Sequence, residues 1–140
     1  MNDQTLLGVS GTGNGTGELD LDIRMVPGVP WTVCEALIVD GYSKKWNEHL
    51  DKLLNNYNPF GLPVLYLLTY VDCDQDKFGG IWKKYQKHIR EDQPAGFGID
   101  PASVQTDLFQ RYDSTRAACC NYRKGGYALT VYHIFVRMGK

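Results

Sequence analysis

Two carboxylates lie on neighbouring strand-like segments in the first quarter of the chain. Asp20 belongs to residues 18–25, in which apolar and polar side chains alternate, and Glu35 lies within the mostly apolar residues 32–39. A buried carboxylate needs a partner, a proton or a metal ion, because desolvation of a lone charge is costly. The Pro- and Gly-rich residues 27–30 predict a turn. We therefore expect an antiparallel hairpin that brings Asp20 and Glu35 together as oxygen donors for a hard divalent cation.

The composition limits the classes of protein to which the chain can belong. Its 140 residues suit one domain, and its formal net charge of −1 gives no global basic signal for nucleic acid, although a local basic patch is compatible with it. No apolar stretch is long enough for a membrane span, and no secretory signal opens the chain. The four cysteines form no zinc-type pattern. We expect a reducing, cytoplasmic compartment and leave open one or two disulfides.

Two amphipathic helices are predicted after the hairpin, over residues 43–57 and 77–90. Apolar side chains recur at helical spacing in both. His49 in the first helix and His88 in the second are expected to point mostly away from the buried side. The second helix also carries an outward basic face, which is either a solvated surface or a strip that contacts phosphates. The expected buried side chains are Trp46, Leu50, Leu53, Leu54 and Tyr57 in the first helix, and Phe78, Ile81, Trp82, Tyr85 and Ile89 in the second.

The remaining segments complete the expected fold class. The apolar run 62–71 predicts a buried central strand, and residues 127–136 predict a final strand in which His133 is a satisfied sheet histidine. A third helix is expected over residues 101–122, ended by the glycines at 125–126. With a short first strand at residues 5–9, this order favours an α/β (α+β) fold whose mixed central β-sheet is flanked by helices.

Two further segments have motif-like compositions. The alternating glycines of residues 10–17 lack the lysine and the following helix of a phosphate-binding loop, so a flexible hairpin connection is the favoured interpretation. Residues 72–76 are acidic but lack the spacing of a calcium loop, so an acidic cap for the next helix is favoured.

The hairpin, with the helix and strand that follow it, resembles the core of the restriction-endonuclease-like (PD-(D/E)XK) nucleases. The resemblance rests on the sequences GELDLDI at 17–23 and CEAL at 34–37, and it covers about residues 5–71. By position it implies that Asp20 and Glu35 bind Mg²⁺ or Mn²⁺. It further implies that Ala36 offers its main-chain carbonyl to the metal, and Glu18 is a further candidate ligand on the Asp20 face.

The chain departs from the family pattern in two places. The family's lysine position, two residues after the glutamate, is held by Leu37, which cannot orient a water molecule. Either Lys44 or Lys45 from the next helix supplies that cation, with Lys44 our candidate catalytic residue, or the site is inactive. The family's core also begins with a helix before its first strand, whereas only residues 1–4 precede the first expected strand here, so either another helix fills that place or a preceding segment does. We therefore expect a single nuclease-like domain over residues 1–140, either complete or a C-terminal fragment of a longer protein.

Three functions from different classes remain open at this point. The first is a metal-dependent nuclease that hydrolyses phosphodiester bonds in nucleic acid, for which the resemblance suggests bacterial or phage defence. The second is a catalytically inactive nuclease-like module that binds nucleic acid or protein. The third is an unrelated α/β interaction domain in which Arg or Lys pairs with Glu35. The expected partner is nucleic acid, with no membrane association, and a homodimer or larger assembly is left open.

Overall fold

A computed structural model describes residues 21–26, 29–41, 43–56, 61–91, 94, 96–108 and 112–139. Within this part, the chain forms six strands, two α-helices, a π-helical turn and a 3₁₀ turn. These are β1 (Leu21–Val26), β2 (Val29–Val39), α1 (Lys45–Asp51) continued by a π-helix (Lys52–Asn56), β3 (Val64–Val71), α2 (Gln75–Glu91), β4 (Gly98–Ile99), a 3₁₀ turn (Pro101–Ser103), β5 (Thr115–Lys124) and β6 (Tyr127–Arg137).

The strands form one mixed sheet in the order β1-β2-β3-β6-β5-β4. The central strands β2, β3 and β6 are parallel, and β1, β5 and β4 add to the two sides as antiparallel neighbours. Parallel neighbours need a crossover connection, which α1 supplies between β2 and β3, and α2 lies in the connection from β3 to β6. The expected hairpin of the first two strands and the mixed sheet with helices are confirmed.

Both helices pack on the same face of the sheet around an aromatic cluster. The ring of Phe135 on β6 lies 5.7 Å from Trp46 of α1 and 4.4 Å from Tyr85 of α2, measured between centroids. Because side chains alternate along a strand, every second residue faces this layer, and those at 33–39 of β2, 65–71 of β3 and 129–135 of β6 are buried. The resulting core holds the face of the sheet against α1 and α2.

On the opposite face of the sheet β3 is only half-buried, which corrects the expectation that residues 62–71 form a strand covered on both sides. The central position of β3 is confirmed, but its residues alternate between buried and half-buried. On this open face the rings of Tyr66 and Tyr132 stack with centroids 5.4 Å apart, and Ile38 is 54% exposed. β3 thus carries apolar side chains on both faces, although α1 and α2 cover one of these faces in the described part of the chain.

The third helix expected over residues 101–122 is wrong. In its described part this region has the 3₁₀ turn Pro101–Ser103 and an isolated bridge from Gln105 to Cys119, and β5 then pairs with β6 from Thr115 opposite Val136 to Lys124 opposite Tyr127. The glycines at 125–126, taken as a helix stop, instead form the tight turn of this hairpin. Gly125 has a φ of +62°, a conformation that glycine adopts without a steric penalty.

The other predicted elements agree with the structure where it describes them. The helix expected at residues 43–57 is α1 with its π-helical continuation, and the helix expected at 77–90 is α2. The expected strand at residues 5–9, the glycine segment 10–17 and Tyr57 lie outside the described residues. The four cysteines are free thiols. Among the described helices, none has the length and apolar character needed to cross a membrane.

Candidate functional site around Glu35

Glu35 lies in the middle of β2 with its side chain on the face that α1 and α2 cover. Its neighbours on this face, Val33 and Leu37, are buried in the apolar core, and Glu35 itself is 0% exposed. The position follows from strand alternation, since residues 33, 35, 37 and 39 share one side of the pleat. A carboxylate is thus held within an apolar layer, where it requires polar contacts.

His49 supplies one such contact from the first helix. Its Nδ1 atom lies 2.7 Å from Oε1 of Glu35, and its side chain is almost as buried as that of Glu35. An imidazole N–H at this distance donates a hydrogen bond to the carboxylate. The prediction that His49 points away from the buried side is wrong, because the helix turns this residue toward the sheet. His49 is thus one partner of Glu35 that the sequence did not predict.

The helix changes its geometry immediately after His49. α1 ends at Asp51, and the π-helix begins at Lys52. Short π-helical segments occur often at functional sites, because the wider turn redirects side chains. Lys52 is half-buried and follows His49 by three residues, a spacing that makes two residues neighbours on a helix surface. Nothing in the sequence singles out Lys52, because its spacing from Glu35 in the chain carries no signal.

A second group of buried polar side chains surrounds His133 on β6. The Tyr85 hydroxyl lies 2.6 Å from Nδ1 of His133, while Nε2 is 3.4 Å from the Tyr122 hydroxyl and 3.5 Å from Sγ of Cys120. Burial, together with the nearby His88, lowers the pKa of His133 to about 3. The ring is therefore neutral at physiological pH, and the prediction of a satisfied sheet histidine is confirmed.

Groups around His133 are held in their neutral forms as well. Burial, reinforced by Cys120, raises the pKa of Tyr85 and of Tyr122 well above the usual value, and burial raises the pKa of Cys120 to about 12. His88, expected on the outer side of α2, is buried with its ring 5.8 Å from that of Tyr85 and 5.7 Å from that of Trp46. The aromatic layer recruits this histidine into the core. The cluster is a structural network under the helices.

Two of the predicted site residues lie outside the described residues, namely Glu18 and Asp20. The described part begins one residue later, at Leu21, which pairs with Cys34, the residue before Glu35. Ala36 is buried, and strand alternation directs its side chain to the sheet face opposite Glu35.

The lysine and leucine positions of the motif are both described. Lys44 is exposed immediately before α1, and no hydrogen bond or ion pair joins it to Glu35 in the described structure. Leu37 is buried in the apolar core on the same face as Glu35. The described structure therefore brings Glu35 together with His49, and it does not bring Glu35 together with Lys44.

The donor chemistry of Glu35 fits a hard divalent cation, since carboxylate oxygens are the ligands that Mg²⁺ prefers. Among the described residues, however, no three or more His, Cys, Asp or Glu side chains are grouped so that they could hold a metal ion. Glu35 is thus one candidate ligand, and a complete site would need the carboxylates that precede β1.

The surface offers two further charged regions. At the ends of β2 and β3 lies an open cavity of about 280 Å³, which is lined by Asp40, Asp72, Cys73, Asp74 and Lys77. On the outer side of α2, Lys83, Lys84, Lys87 and Arg90 are exposed. This outer group, which we call the α2 basic strip, is opposite the helix side that carries Phe78, Trp82, Tyr85 and Ile89.

Comparison with known protein families, with curated protein sequences and with solved structures finds no match to this chain.

Proposed function

We propose that the chain is a restriction-endonuclease-like nuclease domain that hydrolyses phosphodiester bonds in nucleic acid with a divalent cation. Asp20 and Glu35 would hold the cation, with Glu18 and the main-chain carbonyl of Ala36 as further ligands. The observation that carries the proposal is the buried carboxylate of Glu35, which lies in an apolar layer with an imidazole 2.7 Å from one oxygen.

The strand register supports the pairing of the two carboxylates. β1 is antiparallel to β2, and Leu21 pairs with Cys34. Asp20 precedes Leu21 and Glu35 follows Cys34, so a ladder extended by one more pair would set Asp20 opposite Glu35, and directly opposed residues share a face. The helix and the apolar strand that follow the hairpin also keep the order on which the resemblance rests.

The chemistry follows from the residues at this position. When bound, a divalent cation supplies Lewis acidity toward the phosphodiester and the attacking water. Glu35 would hold it on a rigid strand, and the apolar walls formed by Val33 and Leu37 keep the local dielectric low, which strengthens the electrostatic interaction. Lys52, which is half-buried and follows His49 by three residues, is a second candidate beside Lys44 for the lysine that the motif lacks.

Cleavage assays with matched variants test this proposal. The purified protein is incubated with double-stranded DNA, single-stranded DNA and RNA in Mn²⁺, beside Asp20→Asn, Glu35→Gln and the control Glu48→Gln. Glu48 is exposed on α1, and Glu48→Gln removes one negative charge, as the other two substitutions do. We expect cleavage by the wild type and by Glu48→Gln, and its loss in the other two. Cleavage that persists in Glu35→Gln would remove Glu35 from the mechanism.

A second candidate function, a nuclease-like module that binds without catalysis, is favoured by Leu37. Its side chain is part of the core, so no lysine can occupy that position in the strand. The α2 basic strip would then contact the phosphate backbone. This function predicts no cleavage in Mn²⁺ but DNA binding that weakens steeply with salt. Replacing Lys83, Lys84 and Lys87 by Gln should lower the logarithmic salt dependence by about 0.9 per lost phosphate contact, measured by fluorescence anisotropy.

A further inference from the structure

The sheet face opposite α1 and α2 carries an uncharged, tyrosine-containing surface. Strand alternation places every second residue of β2, β3, β6 and β5 on this face, and the strand register aligns them in rows. The open face consists of three such rows: Cys34, Tyr66, Tyr132 and Cys119; Ala36, Leu68, Ile134 and Ala117; and Ile38, Tyr70, Val136 and Thr115. None of these side chains is charged at neutral pH. We propose that the open face binds the same face of a second copy of the chain.

Most side chains of the open face are accessible to a partner. Ile38 is 54% exposed, and the members of the three rows on β3 and β6 are half-buried, whereas Ala36 and Ala117 are buried. The rings of Tyr66 and Tyr132 stack across β3 and β6 with an interplanar angle of 20°, so a continuous aromatic surface crosses the two central strands. Tyrosine is enriched at protein interfaces, because its ring offers a large apolar contact and its hydroxyl a polar one.

The chemistry of the open face favours a second apolar sheet as its partner. β2, β3 and β6 are parallel, and parallel sheets are almost always covered on both faces. A nucleic acid or an anionic membrane would require basic side chains, and the three rows contain none. Two apolar sheet faces instead pack about 10 Å apart with interdigitating side chains. A second copy of the chain supplies such a face.

The size of the open face agrees with a weak dimer. Its four strands span about 19 Å at a spacing of about 4.8 Å, and each has at least eight residues, or about 26 Å at about 3.3 Å per residue. The face therefore covers about 500 Å² in each copy. Two copies would bury about 1,000 Å² in total, which is the lower end for a specific interface. We therefore expect a dissociation constant in the micromolar range.

Opposite charges at the two ends of the open face favour one orientation of the copies. Asp40 and Asp72 follow β2 and β3 at one end, where Lys77 also lines the cavity, and Arg123 of β5 is exposed at the other end. A twofold axis that runs across the strands sets the strands of the two copies antiparallel, so the acidic end of one copy lies near the basic end of the other. An axis along the strands would bring the two acidic ends together.

Sedimentation velocity of the full chain over about 1–300 μM measures this association. The wild type is compared with Ile134→Arg and Ile38→Arg, which place a charge in the open face, and with the control Asn47→Arg, which places it on the exposed side of α1. We expect dimers of the wild type and of Asn47→Arg. Both face variants should associate at least about tenfold more weakly, because burial of an unpaired charge is costly. Ile38 is exposed, so Ile38→Arg retains the fold even where Ile134→Arg does not, as circular dichroism can verify.

A charge reversal tests the orientation of the two copies. Arg123→Glu should weaken the dimer about two- to fivefold, and the double variant Arg123→Glu/Asp72→Lys should restore the affinity. A double variant that associates no more tightly than Arg123→Glu would overturn the antiparallel orientation.

A further measurement uses the wild type alone. In an equimolar mixture of ¹³C-labelled and unlabelled protein, isotope-filtered NOEs should join the ring of Tyr132 to the methyl groups of Ile134 and Val136 in the other copy. No such NOE should involve Trp46, which is buried under the helices. Intermolecular NOEs that avoid the open face would refute the inference.

The outcomes separate this inference from the proposed function. A wild type that is monomeric at about 300 μM would overturn the inference, and so would a dimer whose affinity is unchanged in both Ile134→Arg and Ile38→Arg. Glu35 lies on the other side of the sheet, among the buried residues under α1 and α2. Neither result would therefore affect the assignment of Glu35, which the cleavage assays test separately.

Discussion

Acidification is expected to destabilise the protein through the buried imidazole of His133. The ring is fully buried, and its pKa is lowered to about 3, first by burial and then by the nearby His88. In the unfolded chain the same group titrates near its usual value of about 6.5. Between these two values the unfolded state binds a proton that the native state does not. The free energy of unfolding is therefore highest above about pH 6.5 and falls as the pH is lowered toward about 3.

The size of the effect follows from the difference between the two pKa values. Each pH unit below the unfolded pKa removes about 1.4 kcal/mol, so a change from about pH 7 to about pH 4.5 should remove about 3 kcal/mol through this one group. The raised pKa values of Tyr85, Tyr122 and Cys120 keep these neighbours neutral over the whole interval. A loss of this size is a large fraction of the stability of a typical domain.

Urea unfolding followed by tryptophan fluorescence measures this loss at the two pH values. The control is His133→Leu, which removes the titrating group and leaves the Tyr85 hydroxyl without its histidine partner at both pH values. Because that penalty is the same at both pH values, it cancels when the free energies of unfolding of one protein at the two pH values are subtracted. We expect the wild type to lose about 3 kcal/mol more than the variant on acidification. Equal losses in the two proteins would refute the assignment of the acid sensitivity to His133.

Three other perturbations have defined outcomes. Trp46→Ala should lower the free energy of unfolding by about 3–5 kcal/mol in urea titrations, because it empties the centre of the aromatic cluster, and a loss below 1 kcal/mol would contradict that placement. Gly125→Ala should lower the melting temperature through about 1–2 kcal/mol of strain at positive φ, whereas Gly126→Ala should be nearly neutral; equal effects would refute the turn geometry. An aromatic disulfide reagent with peptide mapping should label Cys119 in the native protein but Cys120 only after unfolding, and early labelling of Cys120 would show that its site opens.

Much of the fold was predictable because local periodicity and burial agree. The apolar spacing of Trp46, Leu50 and Leu53 locates the first helix, and the β-branched and aromatic run of β6 locates the last strand. The segment of β5 was misassigned because its adjacent alanines favour a helix, while the ladder to β6 that decides its conformation is a tertiary contact. The glycine pair before β6 was a hairpin signal that the sequence already contained.

The candidate site was predictable only in part. Glu35 was identified because a carboxylate within an apolar strand conflicts with its surroundings, and that conflict is visible in the sequence. His49 was assigned to the outer side of its helix, because its partner lies on another element and no spacing in the chain encodes their contact. The same holds for His88, whose aromatic neighbour Trp46 belongs to the other helix.

The parallel pairing of β3 has a consequence for the order in which the protein folds. Leu67 on β3 pairs with Glu35 on one side and with His133 on the other, which are 32 and 66 positions away in the chain, whereas β5 and β6 meet across a two-residue turn. Closing a short hairpin takes microseconds, and the long loops around β3 lose more chain entropy before any contact forms. Substitutions in the β5–β6 hairpin should therefore alter the folding rate, and those on β3 the unfolding rate. The strand at the centre of the finished sheet would be the last to enter it.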